Sequence, residues 1–215
     1  MIIAKREKLN IYLIRHGQST GNNRASFMGW SDHPLTVLGR SQAEAVSERL
    51  TLYAPLPIIC SDLRRAQETA EIVAARGQGT ILADARWREI HCGLYEGHAW
   101  EEFSADTELS ARFDADPFNA EMPGGESAAM MASRVNEAFN EIITRGDDGI
   151  IIVTHDGPIR AILAHCLQIP PTRFWTLTTD HGGLTHLTVT NGWISVRTVN
   201  DTSHLSAIHD SGFRI

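Results

Sequence analysis

The apolar positions fall into short unbroken runs separated by segments with helical spacing. Gly149–Thr154 (Gly-Ile-Ile-Ile-Val-Thr) is the clearest run, and so short and continuous a stretch predicts a strand buried on both faces. Residues 10–15 (Asn-Ile-Tyr-Leu-Ile-Arg) predict a second buried strand that stops abruptly at His16-Gly17. Shorter strands are expected at residues 57–60 and 80–83. Residues 36–53 carry Leu38, Ala45, Val46 and Leu50 at mixed three- and four-residue spacings, which predicts a helix capped by Thr36 and weakened by Gly39. A second helix is expected from caps at Ser61-Asp62 to about Ala75. Two more are expected over residues 127–144, announced by Pro123-Gly124-Gly125-Glu126-Ser127, and from the His155-Asp156-Gly157 turn to Leu167. The tail alternates: residues 184–190 and 193–199 flank Asn191-Gly192, a strong hairpin signal.

Strand–helix alternation implies an α/β fold with a largely parallel sheet covered on both faces, the terminal hairpin being antiparallel. A length of 215 residues suits a single domain, 1–215, and 42% hydrophobic residues suffice for its core. Residues 93–122 are the least regular, mixing Tyr95, Trp100, Phe103, Phe113 and Phe118 with acids. They read as a cap-like excursion, about 93–126, over the sheet. A net charge of −7 argues against a broad nucleic-acid surface or a polybasic membrane face, yet leaves room for a small anionic substrate held by a few arginines. Cys60, Cys92 and Cys166 are odd in number and unpaired in spacing, so reduced thiols and a cytoplasmic location are expected. No secretory signal is visible in residues 1–10, and no apolar run approaches the roughly 20 residues of a membrane span.

In open α/β sheets, ligands gather beyond the carboxyl ends of the strands. His16 and His155 each follow a predicted buried strand, each at a turn with glycine nearby, and share one rim if their strands are neighbours. Either alone reads as a structural histidine; the pair reads as chemistry. Arg15 adjoins His16, and Arg64-Arg65 open the helix after the second strand at the same edge. Their guanidinium forks match phosphate oxygens, although one of Arg64 and Arg65 is expected to be a solvated helix residue. Glu89 follows the third strand and offers a carboxyl group. The sequence has no metal constellation, no Walker loop, no Gly-x-Gly-x-x-Gly after a strand and no serine-hydrolase elbow at Ser19 or Ser127. Cys60 lacks a phosphate loop and reads as buried packing.

Leu13-Ile14-Arg15-His16-Gly17-Gln18-Ser19-Thr20-Gly21-Asn22 resembles the Arg-His-Gly signature of the histidine phosphatase (phosphoglycerate mutase-like) superfamily. The resemblance continues through Asp32-His33-Pro34-Leu35-Thr36-Val37-Leu38-Gly39 with Gln42-Ala43, and through Ser61-Asp62-Leu63-Arg64-Arg65-Ala66-Gln67-Glu68-Thr69-Ala70. It resumes at residues 89–97, at Pro123-Gly124-Gly125-Glu126-Ser127 and at Val153-Thr154-His155-Asp156-Gly157. A lone Arg-His-Gly is weak, whereas ordered blocks across most of the chain are specific. The resemblance implies a three-layer α/β/α sandwich, in agreement with the periodicity.

It also implies roles. His16 would be the nucleophile that takes the phosphoryl group, and Arg15, Arg65 and His155 would bind its oxygens. Arg65 is the arginine in register. Glu89 would be general acid and then base, with Gln18 and Asn22 as secondary phosphate-pocket groups. Asp156 departs from the small or neutral residue many members carry after the second histidine. Its carboxylate is expected to turn away while its N–H faces the phosphate. No metal or other cofactor is implied. The expected activity is metal-independent hydrolysis of a small phosphorylated metabolite, in the manner of the α-ribazole phosphatase and broad-specificity branch. The alternatives are a cofactor-dependent phosphoglycerate mutase, or a non-catalytic phospho-ligand or protein-binding module. Mutases of the family are longer between the glutamate block and the second histidine, and usually lack the Gly-x-x-Glu-Gly ending seen at residues 93–97. Substrate choice is expected to lie in residues 95–122 and near Arg24, Phe27 and Met28. A homodimer is compatible with apolar residues at 175–177 and in the terminal hairpin, although such residues are more often core.

Overall fold

A computed structural model describes residues 8–23, 26–53, 55–145, 148–206 and 208. Arg24 and the first seven residues therefore lie outside the described chain. Six strands form one sheet in the order β3-β2-β4-β1-β5-β6: β1 (Lys8–Arg15), β2 (Ile58–Cys60), β3 (Ile81–Ala83), β4 (Gly149–Thr154), β5 (Leu184–Thr190) and β6 (Trp193–Asp201). The first four are parallel to one another, while β5 runs antiparallel to β1, and β6 to β5. This is the mostly parallel α/β sandwich with an antiparallel hairpin that the pattern predicts.

The two central strands explain their unbroken apolar runs. Alternate side chains enter opposite cores, because a strand sends successive residues to opposite faces. Ile11, Leu13, Ile150 and Ile152 pack against α5 (Ala128–Thr144) and α6 (Asp156–Leu167). Tyr12, Ile14, Ile151 and Val153 pack on the other face against α1 (Val37–Leu50) and α2 (Arg64–Ala74). With both faces covered, no polar alternation remains to be read. Among the described residues, no helix is long and apolar enough to cross a membrane.

Several expectations are corrected. Thr36 does cap α1, accepting from Gly39 N, but the helix ends at Leu50 rather than near Tyr53. Gly39 is there for close packing: a Cβ on it would lie 2.0 Å from the Gln18 carbonyl oxygen. The loop leaving β1 thus rests directly on the first turn of α1. Ser61 and Asp62 do not cap α2. Asp62 is drawn to Arg88 at 2.6 Å, and the first amide of the helix, at Arg64, donates instead to Asp32 Oδ1 at 2.7 Å. The irregular stretch holds two short helices, α3 (Trp100–Ala105) and α4 (Thr107–Ala115), around a cluster of Phe27, Cys92, Phe103, Leu109 and Met122. Cys60 is fully buried, as expected for packing, and burial pushes its thiol up to about 12. Trp175 and Trp193 are not core: they are 42% and 77% exposed.

Replacing Ile152, which has no exposed surface, with Ala removes contacts with α5 and α6 and should cost about 2–5 kcal/mol. Trp193→Ala at the exposed end of the hairpin should change stability by less than about 0.5 kcal/mol. Urea unfolding of the two variants measures both, and equal losses would contradict the placement of the core.

Candidate active site

The strands β1 and β4 pair in parallel with Arg15 opposite Thr154, so the chain leaves both at the same level. His16 N donates back to Thr154 O at 2.9 Å, and the rings of His16 and His155 lie with centroids 4.9 Å apart, both buried. The expected shared rim therefore exists. Arg65 reaches it from the first turn of α2, which follows β2 on the other side of β4. Its Nε lies 3.2 Å from both His16 Nε2 and His155 Nδ1, while Nη1 and Nη2 donate to the carbonyls of Ser31 and Gly29 at 2.8 and 2.7 Å. Arg64 is the solvated neighbour and pairs with Glu68 on the surface.

These contacts assign the protons. A carbonyl only accepts, so His16 Nδ1, 2.7 Å from Gly17 O, carries the ring hydrogen and Nε2 keeps its lone pair. A guanidinium only donates, so His155 Nδ1 is the acceptor and its Nε2–H faces Ser61 Oγ at 2.8 Å. Burial, reinforced by neighbouring Arg65, pushes both imidazoles well below their ordinary range and keeps them neutral; for His16 the approach of His155 adds to it.

Glu89 arrives from the loop after β3. Its Oε1 accepts from Ile90 N at 2.9 Å and its Oε2 from Gly157 N at 3.3 Å. A Cβ on Gly157 would sit 2.2 Å from Glu89 Oε1, so glycine is what lets the carboxyl approach the start of α6. The Glu89 backbone is clamped as well: its carbonyl accepts from Trp30 Nε1 at 2.7 Å and from Arg134 Nη2 at 2.8 Å. Burial pushes the Glu89 carboxyl up, and Asp156 adds to that shift; the two amides and Arg65 oppose it. A neutral imidazole with a fixed tautomer, a buried guanidinium and a carboxyl group disposed to hold a proton therefore share one rim.

Residues 11–202 match the profile of the histidine phosphatase superfamily, branch 1. The chain belongs to this superfamily. The probable phosphoglycerate mutase GpmB of Proteus mirabilis (strain HI4320) is 30% identical over 209 residues, covering 93% of this chain and 96% of that protein. Among solved structures, Bacillus stearothermophilus YhfR superposes with a TM-score of 0.86 at 31% identity, covering 92% of this chain and all of that one. The mycobacterial glucosyl-3-phosphoglycerate phosphatase superposes at 0.79 with 29% identity, covering 91% of this chain and all of that one.

The remaining residues singled out in this member of the superfamily are placed less directly. Arg15 donates through Nη1 to Thr179 O, and its Nη2 lies 3.0 Å from His181 Nε2. The amide oxygens of Gln18 and Asn22 are committed to their own loop: Gln18 Oε1 accepts from Thr36 Oγ1 at 2.9 Å, and Asn22 Oδ1 from Ser19 N and Oγ at 2.9 and 2.7 Å. Asp156 does turn away. Its Oδ1 accepts from Thr179 N and Oγ1 at 2.9 and 2.8 Å, and its Oδ2 from Arg160 Nε at 2.7 Å. Contact between Asp156 and a phosphate thus has to come through its backbone N–H. Among the described residues, no group of three or more His, Cys, Asp or Glu side chains is placed to hold a metal ion.

Sequence reasoning missed four supporting residues. Ser61 orients His155, and Thr69 Oγ1 accepts from Gly17 N at 3.1 Å; both stand inside the matching block around Arg65 and were readable there. Arg134 bridges Glu126 and the carbonyls of Arg86, Arg88 and Glu89, and no local pattern marks it. His181 sits in a loop far along the chain, with only the following Gly182-Gly183 as a sign.

The buried imidazoles carry a stability consequence. Unfolded imidazoles titrate near 6.5 and the folded ones well below it, so below about pH 6.5 the unfolded chain binds protons that the folded chain refuses. Stability is therefore full above that pH and falls as the pH drops towards the native values. Thermal melts should show Tm declining between about pH 6.5 and about pH 5, above the range of ordinary carboxylates. A flat Tm over that interval would count against neutral, buried His16 and His155.

Proposed function

We propose that the protein is a metal-independent phosphomonoester hydrolase that acts on a small phosphorylated metabolite through a phosphohistidine at His16. The observation that carries this reading is the His16 ring itself. Gly17 O holds the hydrogen on Nδ1, and the lone pair on Nε2 faces Arg65 Nε at 3.2 Å, the donor that a phosphoryl group entering between them would take over. In the first step His16 Nε2 attacks phosphorus, the bond to the ester oxygen breaks, and Glu89 delivers its proton to that leaving oxygen. In the second step Glu89, now a carboxylate, takes a proton from water as the water oxygen attacks phosphorus. The P–N bond then breaks, returning its electron pair to Nε2 and releasing inorganic phosphate. Arg15 and Arg65 hold the phosphoryl oxygens and meet the charge that gathers on them, while His155 accepts from Arg65 Nε and holds that guanidinium in place.

The name of the Proteus relative favours a second reading, phosphoglycerate mutase. A mutase must hold a bisphosphate and hence supply cations for the second phosphoryl and the carboxylate. We take residues 93–126 as the cap that meets the substrate beyond its phosphoryl group. They hold nine carboxylates against one arginine, Arg112, a composition suited to hydrolysis rather than to retention of a polyanion. The solved glucosyl-3-phosphoglycerate phosphatase is consistent with hydrolysis on this scaffold. We also take the protein to be cytoplasmic, since its three cysteines stand free.

Metal-free steady-state assays on a panel of phosphomonoesters, run beside 3- to 2-phosphoglycerate interconversion, decide between the readings. Phosphate release that dominates interconversion is the expected result; strong interconversion with little release would establish the mutase. His16→Ala should abolish p-nitrophenyl phosphate hydrolysis, and unchanged release would exclude His16 as the nucleophile. In kcat/KM, which reports the phosphorylation step alone, Glu89→Gln should cost about 100-fold or more on poor leaving groups and little on p-nitrophenyl phosphate, whose leaving group needs no proton. Because the acid form of Glu89 is required, wild-type turnover of alkyl esters should fall as pH rises through the elevated Glu89 value. A pH profile identical for alkyl and nitrophenyl esters would remove Glu89 from the acid role.

A further inference from the structure

The segment between α6 and β5 passes beside Arg15, and the side chains of Asp156, Asn200 and His204 hold it there. Thr179 is bound through N and Oγ1 to the Asp156 carboxylate at 2.9 and 2.8 Å. Asp180 exchanges two hydrogen bonds of 2.8 Å with the Asn200 side chain. Gly182 N donates to Arg15 O at 3.0 Å, and His204 Nε2 donates to Gly182 O at 2.9 Å. The outcome is a fixed His181, its Nε2 3.0 Å from Arg15 Nη2 and its ring centroid 5.4 Å from that of His16.

The guanidinium has no acceptor, so His181 Nε2 must accept, and its ring hydrogen is on Nδ1. With Nη1 on the Thr179 carbonyl and Nη2 on His181, the Arg15 group is gripped through both terminal nitrogens, while its Nε–H is buried and has no partner among the described residues. A buried donor left unmatched is costly unless a ligand completes it. Both grips are uncharged. A carboxylate in place of either would hold Arg15 equally well but would cancel its charge and repel a phosphate dianion. A neutral imidazole fixes the geometry and leaves the positive charge for the ligand.

We propose that His181 is a positioning residue for the phosphoryl pocket, holding the Arg15 guanidinium through a neutral acceptor so that Nε–H is free for a phosphoryl oxygen, with Asp156 anchoring the loop that presents it. This rests on the phosphatase reading above. It also accounts for Asp156, the departure from the family pattern, because its carboxylate ties down Thr179, whose carbonyl is the second grip on Arg15.

The test compares His181→Phe, which keeps a ring without an acceptor, with His181→Gln, which restores an acceptor, and His181→Glu, which adds a charge. Each is assayed for kcat and KM on p-nitrophenyl phosphate and for binding of inorganic phosphate by calorimetry. His181→Phe should lose on the order of 10- to 100-fold in kcat/KM and bind phosphate more weakly, with Tm near wild type. His181→Gln should recover most of that loss. His181→Glu should accept from Arg15 yet bind phosphate more weakly than His181→Gln, a comparison that holds even if the Phe variant folds poorly. Wild-type behaviour of a folded His181→Phe, or equal phosphate binding by the Gln and Glu variants, would overturn the inference while leaving the phosphatase reading intact. A wild-type protein that neither hydrolyses esters nor binds phosphate would fail the phosphatase reading itself, and this inference with it.

Discussion

The Arg65 guanidinium is a buried charge held without an ion-pair partner among the described residues. Only 1% of its surface is exposed, and its hydrogen bonds go to the carbonyls of Gly29 and Ser31 and to the ring nitrogens of His16 and His155. Removing a cation from water is expensive unless its donors are matched. Here every acceptor that touches it is neutral, so the cost is reduced while the charge survives. The rest of the site follows from that constraint. The two imidazoles have to stay unprotonated beside Arg65, which is the direction in which burial drives them. The loop over residues 29–31 has to turn its carbonyls inward, and Glu96 holds it by accepting from Trp30 N and Ser31 N at 2.7 and 2.9 Å.

Uncancelled positive charge beside neutral bases suits a compact anion rich in acceptor oxygens, the class of ligand that the proposed hydrolysis requires. Glu89 stands apart because its carboxyl would oppose such a visitor if ionised. Its burial near Asp156, at the start of α6, makes the protonated form accessible, and a protonated carboxyl can donate where a carboxylate would repel. The same division appears at Arg15, where a carbonyl and an imidazole replace the carboxylates that usually partner arginine. Carboxylates are kept one contact further out, where Asp156 meets Thr179 and Arg160. Distance from the proposed phosphoryl position separates the charged scaffolding from the neutral lining.

Much of this is legible in the sequence. The buried strands at 10–15 and 149–154 were readable because apolar runs that short and unbroken fit few other structures, and the pair of histidines following them implied a rim. Arg65 was separable from Arg64 by its place in the Arg-Ala-x-x-Thr-Ala block. Other features were not legible. Gly39 reads as a helix weakness and is instead a packing contact with Gln18, which requires knowing where the loop after β1 lies. Ser61 and Asp62 look like caps because their residue types favour caps, but a buried imidazole and an arginine compete for the same side chains. The helices α3 and α4 escaped notice because short helices around an aromatic cluster owe their stability to tertiary contacts more than to local pattern.

The chain's local pattern determined which segments are strands, which strand ends carry histidines, and the family to which those blocks belong, because backbone periodicity and turn chemistry act over a few residues. Only the tertiary structure decided that β1 and β4 are neighbours in matched register, that one Arg65 nitrogen lies between two imidazoles, and that His181 faces Arg15 across 166 residues of chain. Those outcomes depend on sheet order and on the orientation of single hydrogen bonds in a buried, low-dielectric pocket. Distances of a few tenths of an ångström and the choice of donor or acceptor decide function there, and neither is encoded by spacing along the chain.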